Sequence, residues 1–215
     1  MQPKVRFEAT DVGSRLAELG LNAIVLQEAV TQGMLARSEA TPNDPPLFPG
    51  FSAWARTVRS LREQLIPHPY GWSRSDEGSY SLVVNPDGKI AIAVATGDEN
   101  TGNVHITPLT KSPKGTRTQC AIEINQYLLF DELPDLEIPE GSNSDRVTWI
   151  LLQNYNQVLK EVRYELSRPN SYSGKIDGWS ERIILGSLPF DPTIVIPVPV
   201  IPNLPDIDVP LLRRM

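Results

Sequence analysis

The chain is poor in cysteine and histidine. Its 215 residues include one cysteine, Cys120, and two histidines, His68 and His105, that are far apart in the sequence. A single cysteine excludes an intrachain disulfide, offers no cysteine cluster for a metal, and fits a reducing compartment. Two scattered histidines do not support a metal pair, and without a Gly-x-Ser-x-Gly motif no nucleophilic triad is visible. We expect no cofactor, and a non-enzymatic role is favoured.

Long apolar runs and an excess of basic residues are also lacking. No segment approaches the roughly 20 apolar residues of a membrane-spanning helix, and the first residues lack the apolar core of a signal peptide. The formal net charge is -6, and the first 120 residues carry 12 basic and 12 acidic side chains, so the acidic excess lies in the remainder. This balance argues against a uniformly basic nucleic-acid-binding protein. We expect a cytoplasmic protein with no membrane partner.

The clearest secondary-structure signal lies at residues 80–96. Two alternating apolar runs flank the sequence Asn-Pro-Asp-Gly at 85–88, where Pro86 presets φ for a turn and Gly88 accepts a positive φ. This pattern predicts a β-hairpin with a large-residue face on a core and a small-residue face that is covered or lightly solvated. The large face comprises Tyr80, Leu82, Val84, Ile90, Ile92 and Val94, and the small face comprises Ser81, Val83, Ala91, Ala93 and Ala95.

Helical patterns lie mainly before this hairpin. Apolar residues at helical spacing cover 10–38, with a break expected at Gly20, and then 51–66. The prolines of 41–50 predict an extended connector between these helices. A further short helix is expected at 117–130.

Strand patterns dominate the later part of the chain. They cover three segments, 147–153, 162–166 and 179–185. Pro169 is expected to end the second of these strands. The fold expected from these patterns is a single α+β domain over residues 1–188. It has three or four mainly N-terminal helices, about 10–66, and a mostly antiparallel sheet of about five strands, about 78–188.

Two segments have unusual compositions. Residues 131–145 hold six acidic residues and no basic one, which predicts a solvated linker or a lid. Residues 189–215 contain seven of the 20 prolines, many next to valine or isoleucine, which predicts an extended apolar tail. Because such a tail is unfavourable in water, we expect it to dock on this domain, on a second copy or on another protein chain, and the partner we expect is another chain or a second copy. The candidate partner-binding residues are Val195, Val198, Val200, Ile201, Leu204, Leu211 and Leu212.

Three arginines lie in a row on the predicted third helix. Arg56, Arg59 and Arg62 are three residues apart and could bind an acidic segment of a partner, or a phosphate. The simpler alternative is a solvated face with Glu63 nearby. Together with the tail, this row favours a non-enzymatic interaction or adaptor protein as the leading hypothesis.

The polar loops of 97–118 support an alternative from another functional class. Asp98 and Glu99 follow a predicted strand and could approach a cation, and Lys111, Lys114 and Arg117 could bind phosphate. Neither loop has the spacing of a phosphate-binding or dinucleotide-binding motif, and the two loops could instead form salt bridges with each other. The alternative is a protein that handles nucleotides or nucleic acids, within a bacterial defence or mobile-element assembly.

Several segments resemble those of a family of bacterial proteins. They lie at 72–80, 85–88, 95–102 and 177–185, the last reading Asp-Gly-Trp-Ser-Glu-Arg-Ile-Ile-Leu. The resemblance covers most of the chain and implies a bacterial origin. It brings no activity, cofactor or site residue that could be carried over.

Overall fold

The computed structural model describes residues 2–130 and 145–190. Within these residues the protein is α+β, with four α-helices and one seven-stranded mixed sheet. In chain order the elements are β1 (Lys4–Arg6), α1 (Ala9–Glu18), α2 (Ala23–Ser38), α3 (Phe48–Leu65), β2 (Ser73–Ser75), β3 (Leu82–Val84), β4 (Ile90–Thr96), α4 (Thr116–Phe130), β5 (Val147–Asn156), β6 (Glu161–Tyr172) and β7 (Ile176–Pro189).

The sheet has the strand order β1-β7-β6-β5-β4-β3-β2, so β5 is central, as predicted. The expected sheet of about five strands was too small, and although most pairings are antiparallel as predicted, the sheet is mixed, because β1 with β7 and β4 with β5 are parallel. Strands β1 and β2 have three residues each, too few to show an alternating pattern. The connection from β4 to β5 contains α4, and such a crossover returns the chain to the same end of the sheet.

The sheet separates two apolar clusters. One face packs against α1, α2 and α3, and the other packs against α4. On β4, Ile92 and Val94 join the first cluster, whereas Ala91 and Ala93 join the second with Ile122 of α4. The predicted division of this strand into large and small faces is therefore confirmed, and the small face lies in the cluster to which α4 contributes.

The predicted register of the hairpin was wrong. Val83 lies opposite Ile92, and Val84 lies opposite Ala91, so Leu82 and Val84 share the face of the alanines. The turn sets this register, because the Asn85 amide donates to the Ile90 carbonyl oxygen at 2.9 Å and its side chain accepts from the Ile90 amide at 2.8 Å. With Asn85 opposite Ile90, even-numbered residues of β3 share a face with odd-numbered residues of β4.

Gly20, Pro49 and Pro169 are residue types that disfavour regular secondary structure, and each has a different effect in this fold. Gly20 has a φ of 70° and lies between α1 and α2, which confirms the predicted break. Helix α3 begins three residues before the predicted start and contains Pro49 in its first turn, where a missing amide hydrogen costs nothing. Strand β6 continues through Pro169, which lies at an irregularity in the pairing with β7. Both prolines were wrongly expected to exclude regular structure.

Much of the two unusual segments lies outside the described residues. This applies to 131–144 of the predicted acidic linker and to 191–215 of the predicted tail, including all seven of its candidate partner-binding residues. At the start of the predicted tail, Phe190 packs in the helix-side cluster, and its amide donates to the Lys160 carbonyl oxygen at 2.7 Å. Of the helices in the described ranges, none has the length and apolar character needed to cross a bilayer.

Gly33 allows α2 and α3 to approach closely, and this contact gives a test of the helix packing. A Cβ atom at Gly33 would lie 2.1 Å from the Thr57 Oγ1 atom and 2.8 Å from the Ala53 carbonyl oxygen. We predict that Gly33→Ala lowers the free energy of unfolding by about 1–3 kcal/mol, because the helices must separate. Urea denaturation measures the change.

Gly13 in α1 provides a matched control, since a Cβ there would have no atom within 4 Å. Gly13→Ala should raise the free energy of unfolding by up to about 1 kcal/mol, from helix propensity alone. Equal effects of the two substitutions would contradict the close packing of α2 on α3.

Candidate ligand-binding cleft

A buried ion pair joins β6 to β7 on the α4 side of the sheet. The Arg182 guanidinium donates to both carboxylate oxygens of Glu165, at 2.9 and 2.6 Å, and the two side chains are 1% and 0% exposed. The carboxylate also accepts from the Ser167 hydroxyl at 2.7 Å. This bidentate, charge-assisted geometry is the kind that offsets the desolvation of a buried pair.

The same ion pair anchors the loop that follows β4. Arg182 donates to the carbonyl oxygens of Asn103 and Ile106, at 2.9 and 3.1 Å, and the Gly102 amide donates to Glu165 at 2.8 Å. The Trp179 indole donates to the Pro108 carbonyl oxygen at 2.8 Å. The first half of the loop is therefore fixed over the part of the sheet formed by β6 and β7.

The second half of the loop is held at the end of β4 and at the turn between β6 and β7. The Lys111 amide donates to the Thr96 carbonyl oxygen at 2.9 Å, and the Lys114 amide donates to the Gly174 carbonyl oxygen at 2.9 Å. The Tyr172 hydroxyl donates to the Lys114 carbonyl oxygen at 2.6 Å. Lys114 is thus fixed beside the β6–β7 turn, shortly before α4, and Lys111 lies at the edge where the parallel strands β4 and β5 end.

A cleft lies at this edge, between the start of α3 and the loop. We call it the aromatic cleft; its volume is about 520 Å³, within the range of small-molecule sites. Its apolar wall comes from Leu47, Phe51 and Trp54, its floor from the ends of β4 and β5, including Asn154 and Tyr155, and its cations are Arg37, Lys111 and Lys114. An adjoining polar pocket of about 680 Å³ shares Arg37, Lys111, Asn154 and Tyr155, and contains Asp98, Glu99 and Lys175.

No carboxylate of the described residues pairs with the cations of the aromatic cleft. Among the described residues no carboxylate lines this cleft, and all eight ion pairs found there involve other side chains. Arg37 stacks over the Tyr155 ring, 4.9 Å from its centroid. Lys114 is half-buried, and the desolvation lowers its pKa. The cleft is therefore a concave surface of positive charge.

The structure brings together most, but not all, of the loop residues singled out in the sequence. Lys111 and Lys114 line the aromatic cleft, and Asp98 and Glu99 line the polar pocket beside it. Arg117 lines a different, smaller pocket, away from the two lysines. Within the described part of the chain, neither carboxylate forms an ion pair with these lysines, so the salt-bridged alternative is not observed.

The acidic residues have a local structural role. The Asp98 carboxylate accepts from the amide and the side chain of Asn100, at 3.1 and 3.3 Å, and so stabilises the turn after β4. Across the described ranges no group of three or more histidine, cysteine, aspartate or glutamate residues could hold a metal ion. Asp177, a possible carboxylate partner for Asp98, instead accepts from Ser173 and does not line the polar pocket.

The arginine row on α3 is partly occupied by contacts within the chain. Arg62 donates to the Asp76 carboxylate at 2.7 Å and to the Leu82 carbonyl oxygen at 3.2 Å, which ties α3 to β3. Arg59 pairs with Glu63 at 2.7 Å on an exposed face. Binding of a partner by Arg56, Arg59 and Arg62 stays a prediction.

Several cleft residues were not identified from the sequence. Arg37, Trp54, Asn154 and Tyr155 line the cleft but were not among the candidate site residues, and Trp54 packs partly against the helix-side cluster as well. All four line the cleft at the point where the parallel strands β4 and β5 end. Ligands of open sheets bind at such points. Recognition that β4 and β5 are parallel would have directed attention to both residues after Gln153.

Removal of the Glu165 charge should release the loop. We predict that Glu165→Gln lowers the free energy of unfolding by about 3–5 kcal/mol, because Arg182 stays buried without a counter-ion. The Gly102 amide should then exchange its hydrogen faster, which mass spectrometry or NMR can measure. If this variant does not fold, the double variant Glu165→Gln with Arg182→Met removes both charges and allows the same measurement.

Glu161, on the same strand, provides the control. Its ion pair with Arg163 is partly exposed, so Glu161→Gln should change the free energy of unfolding by at most about 1 kcal/mol. Unchanged protection of Gly102 in the Glu165 variants would contradict the anchoring role of the ion pair.

A comparison of the chain with protein-family models, with curated proteins and with solved structures gives no match. A function for the cleft therefore has to be proposed from its own geometry and charge.

Proposed function

We propose that the protein binds a small phosphate-bearing anion in the aromatic cleft. The observation that carries this proposal is the convergence of Arg37, Lys111 and Lys114 on one concave site without a carboxylate partner among the described residues. A half-buried lysine such as Lys114 loses hydration, and a bound anion would compensate that loss with charge-assisted hydrogen bonds.

The position of the cleft supports an anion. It lies where β4 and β5 end side by side, and the crossover helix α4 begins at Thr116, directly after the loop that contains Lys111 and Lys114. Ligands of open sheets bind outside the carboxyl ends of parallel strands, and a helix N-terminus contributes partial positive charge there. No described residue of α4 lines the cleft, so the proposal rests on the three cations.

The charge distribution favours a small ligand over a nucleic-acid strand. The chain has a formal net charge of -6, and Asp98 and Glu99 line the polar pocket that adjoins the cleft. A long polyanion would be repelled by these carboxylates and by the net negative charge of the protein. A small anion would contact the cations alone. The proposed function is binding; no catalytic step is assigned.

Protein interaction is a second candidate function, supported by a separate observation. Leu47 and Phe51 are 84% and 63% exposed, and Phe48 beside them is 39% exposed. Contiguous exposed apolar residues often form part of a protein interface. The variant Phe48→Ser, at a residue that does not line the aromatic cleft, should weaken association with a partner chain while it leaves anion binding intact. Association that persists in this variant would contradict an interface at the start of α3.

Removal of the lysine charges tests the main proposal. Inorganic tripolyphosphate should raise the melting temperature of the wild-type protein, because it binds the folded state selectively. The double variant Lys111→Ala and Lys114→Ala should bind tripolyphosphate at least about tenfold more weakly, since each charge-assisted hydrogen bond contributes about 1.5–3 kcal/mol. Thermal unfolding and calorimetric titration measure the two effects.

A control pair that removes the same number of positive charges distinguishes a specific binding site from general electrostatic attraction of the anion. Lys4 on β1 and Lys89 in the hairpin turn do not line the cleft, so Lys4→Ala with Lys89→Ala should leave the affinity nearly unchanged. Equal losses in the two pairs, or wild-type protein that does not bind tripolyphosphate, would contradict the proposal.

A further inference from the structure

We infer that the anion is a nucleoside di- or triphosphate whose base stacks on Trp54 while its phosphates contact Arg37, Lys111 and Lys114. This inference rests on the proposed function and names the class of ligand. It depends on a second property of the cleft, the aromatic wall, which the binding of a phosphate alone would not use.

The aromatic wall offers the faces of two aromatic rings beside the cations. The rings of Phe51 and Trp54 lie 5.8 Å apart between centroids with an interplanar angle of 40°, and Phe51 is largely exposed. Leu47 and two prolines, Pro46 and Pro49, extend this surface along the same wall. Aromatic side chains at exposed sites are a common surface for base stacking, because every base has a flat π face.

The floor of the cleft supplies polar groups suited to a nucleoside. The Asn154 side-chain amide donates to the Gly97 carbonyl oxygen at 3.0 Å, which leaves its own oxygen without a hydrogen bond from the described residues. That oxygen can accept from a ribose hydroxyl or from a base amino group. A ligand with one flat ring, hydroxyl groups and two or three phosphates therefore matches the wall, the floor and the cations together.

The extent of the cleft favours a single nucleotide. Its volume of about 520 Å³ is that of a small-molecule site, and the carboxylates of Asp98 and Glu99 line the pocket into which a longer strand would continue. Repulsion between those carboxylates and further phosphates would disfavour an oligonucleotide.

Intrinsic fluorescence can report on the stacking directly. Of the four tryptophans, Trp72, Trp149 and Trp179 are 4% exposed or less, so Trp54 is the one that a ligand in the cleft can contact. ATP should quench the fluorescence of the wild-type protein and bind at least about tenfold more tightly than tripolyphosphate. Tripolyphosphate should bind with little quenching.

Two substitutions of Trp54 separate stacking from packing. Trp54→Leu should remove the preference for ATP over tripolyphosphate while tripolyphosphate binding persists, and circular dichroism checks that the variant is folded. Trp54→Phe keeps a flat ring and should retain most of the preference, as calorimetry can measure. Loss of the preference in both variants to the same degree would indicate a packing effect and overturn the stacking role.

The remaining outcomes distinguish this inference from the proposed function. Equal affinities for ATP and tripolyphosphate, without quenching, would overturn the nucleotide and leave the anion site standing. Failure of both ligands to bind would overturn both proposals. Tighter binding of a single-stranded oligonucleotide than of ATP would contradict a mononucleotide as the ligand.

Discussion

The buried pair of Arg182 and Glu165 is the constraint on which the site depends. Two charges removed from water are tolerated only when their remaining donors and acceptors are satisfied. Here the backbone of Gly102, Asn103 and Ile106 supplies the remaining partners, so the loop has to lie against the sheet for the pair to be buried. The position of the loop is therefore a condition for the stability of the sheet, and the loop in turn positions the lysines.

A single parallel crossover creates the place where those lysines lie. In a wholly antiparallel sheet, neighbouring strands end at opposite edges, so no two adjacent carboxyl ends would meet. Helix α4 packs on β5 and β6, and the crossover that contains it makes β5 parallel to β4. The aromatic cleft opens where these two parallel strands end, between the loop and α3.

Local signals in the sequence predicted local structure well. The alternation of β4, the break at Gly20 and the central position of β5 follow from residue spacing. The register of the hairpin does not, because it depends on which side-chain and backbone groups Asn85 bonds in the turn. The parallel pairing is not visible either, since it is a property of the path between two strands. In the site, Lys111 and Lys114 could be identified from their loop, whereas Arg37, Trp54 and Tyr155 come from three other elements and converge only in the fold.

The aromatic cleft combines two features among the described residues. Arg37, Lys111 and Lys114 converge on it with no carboxylate in its lining, and Phe51 and Leu47 stay exposed beside them. Departures from local consistency are expected at functional sites, where a ligand completes the interactions that the chain leaves open. The two features together favour the proposed ligand, which is apolar at one end and anionic at the other.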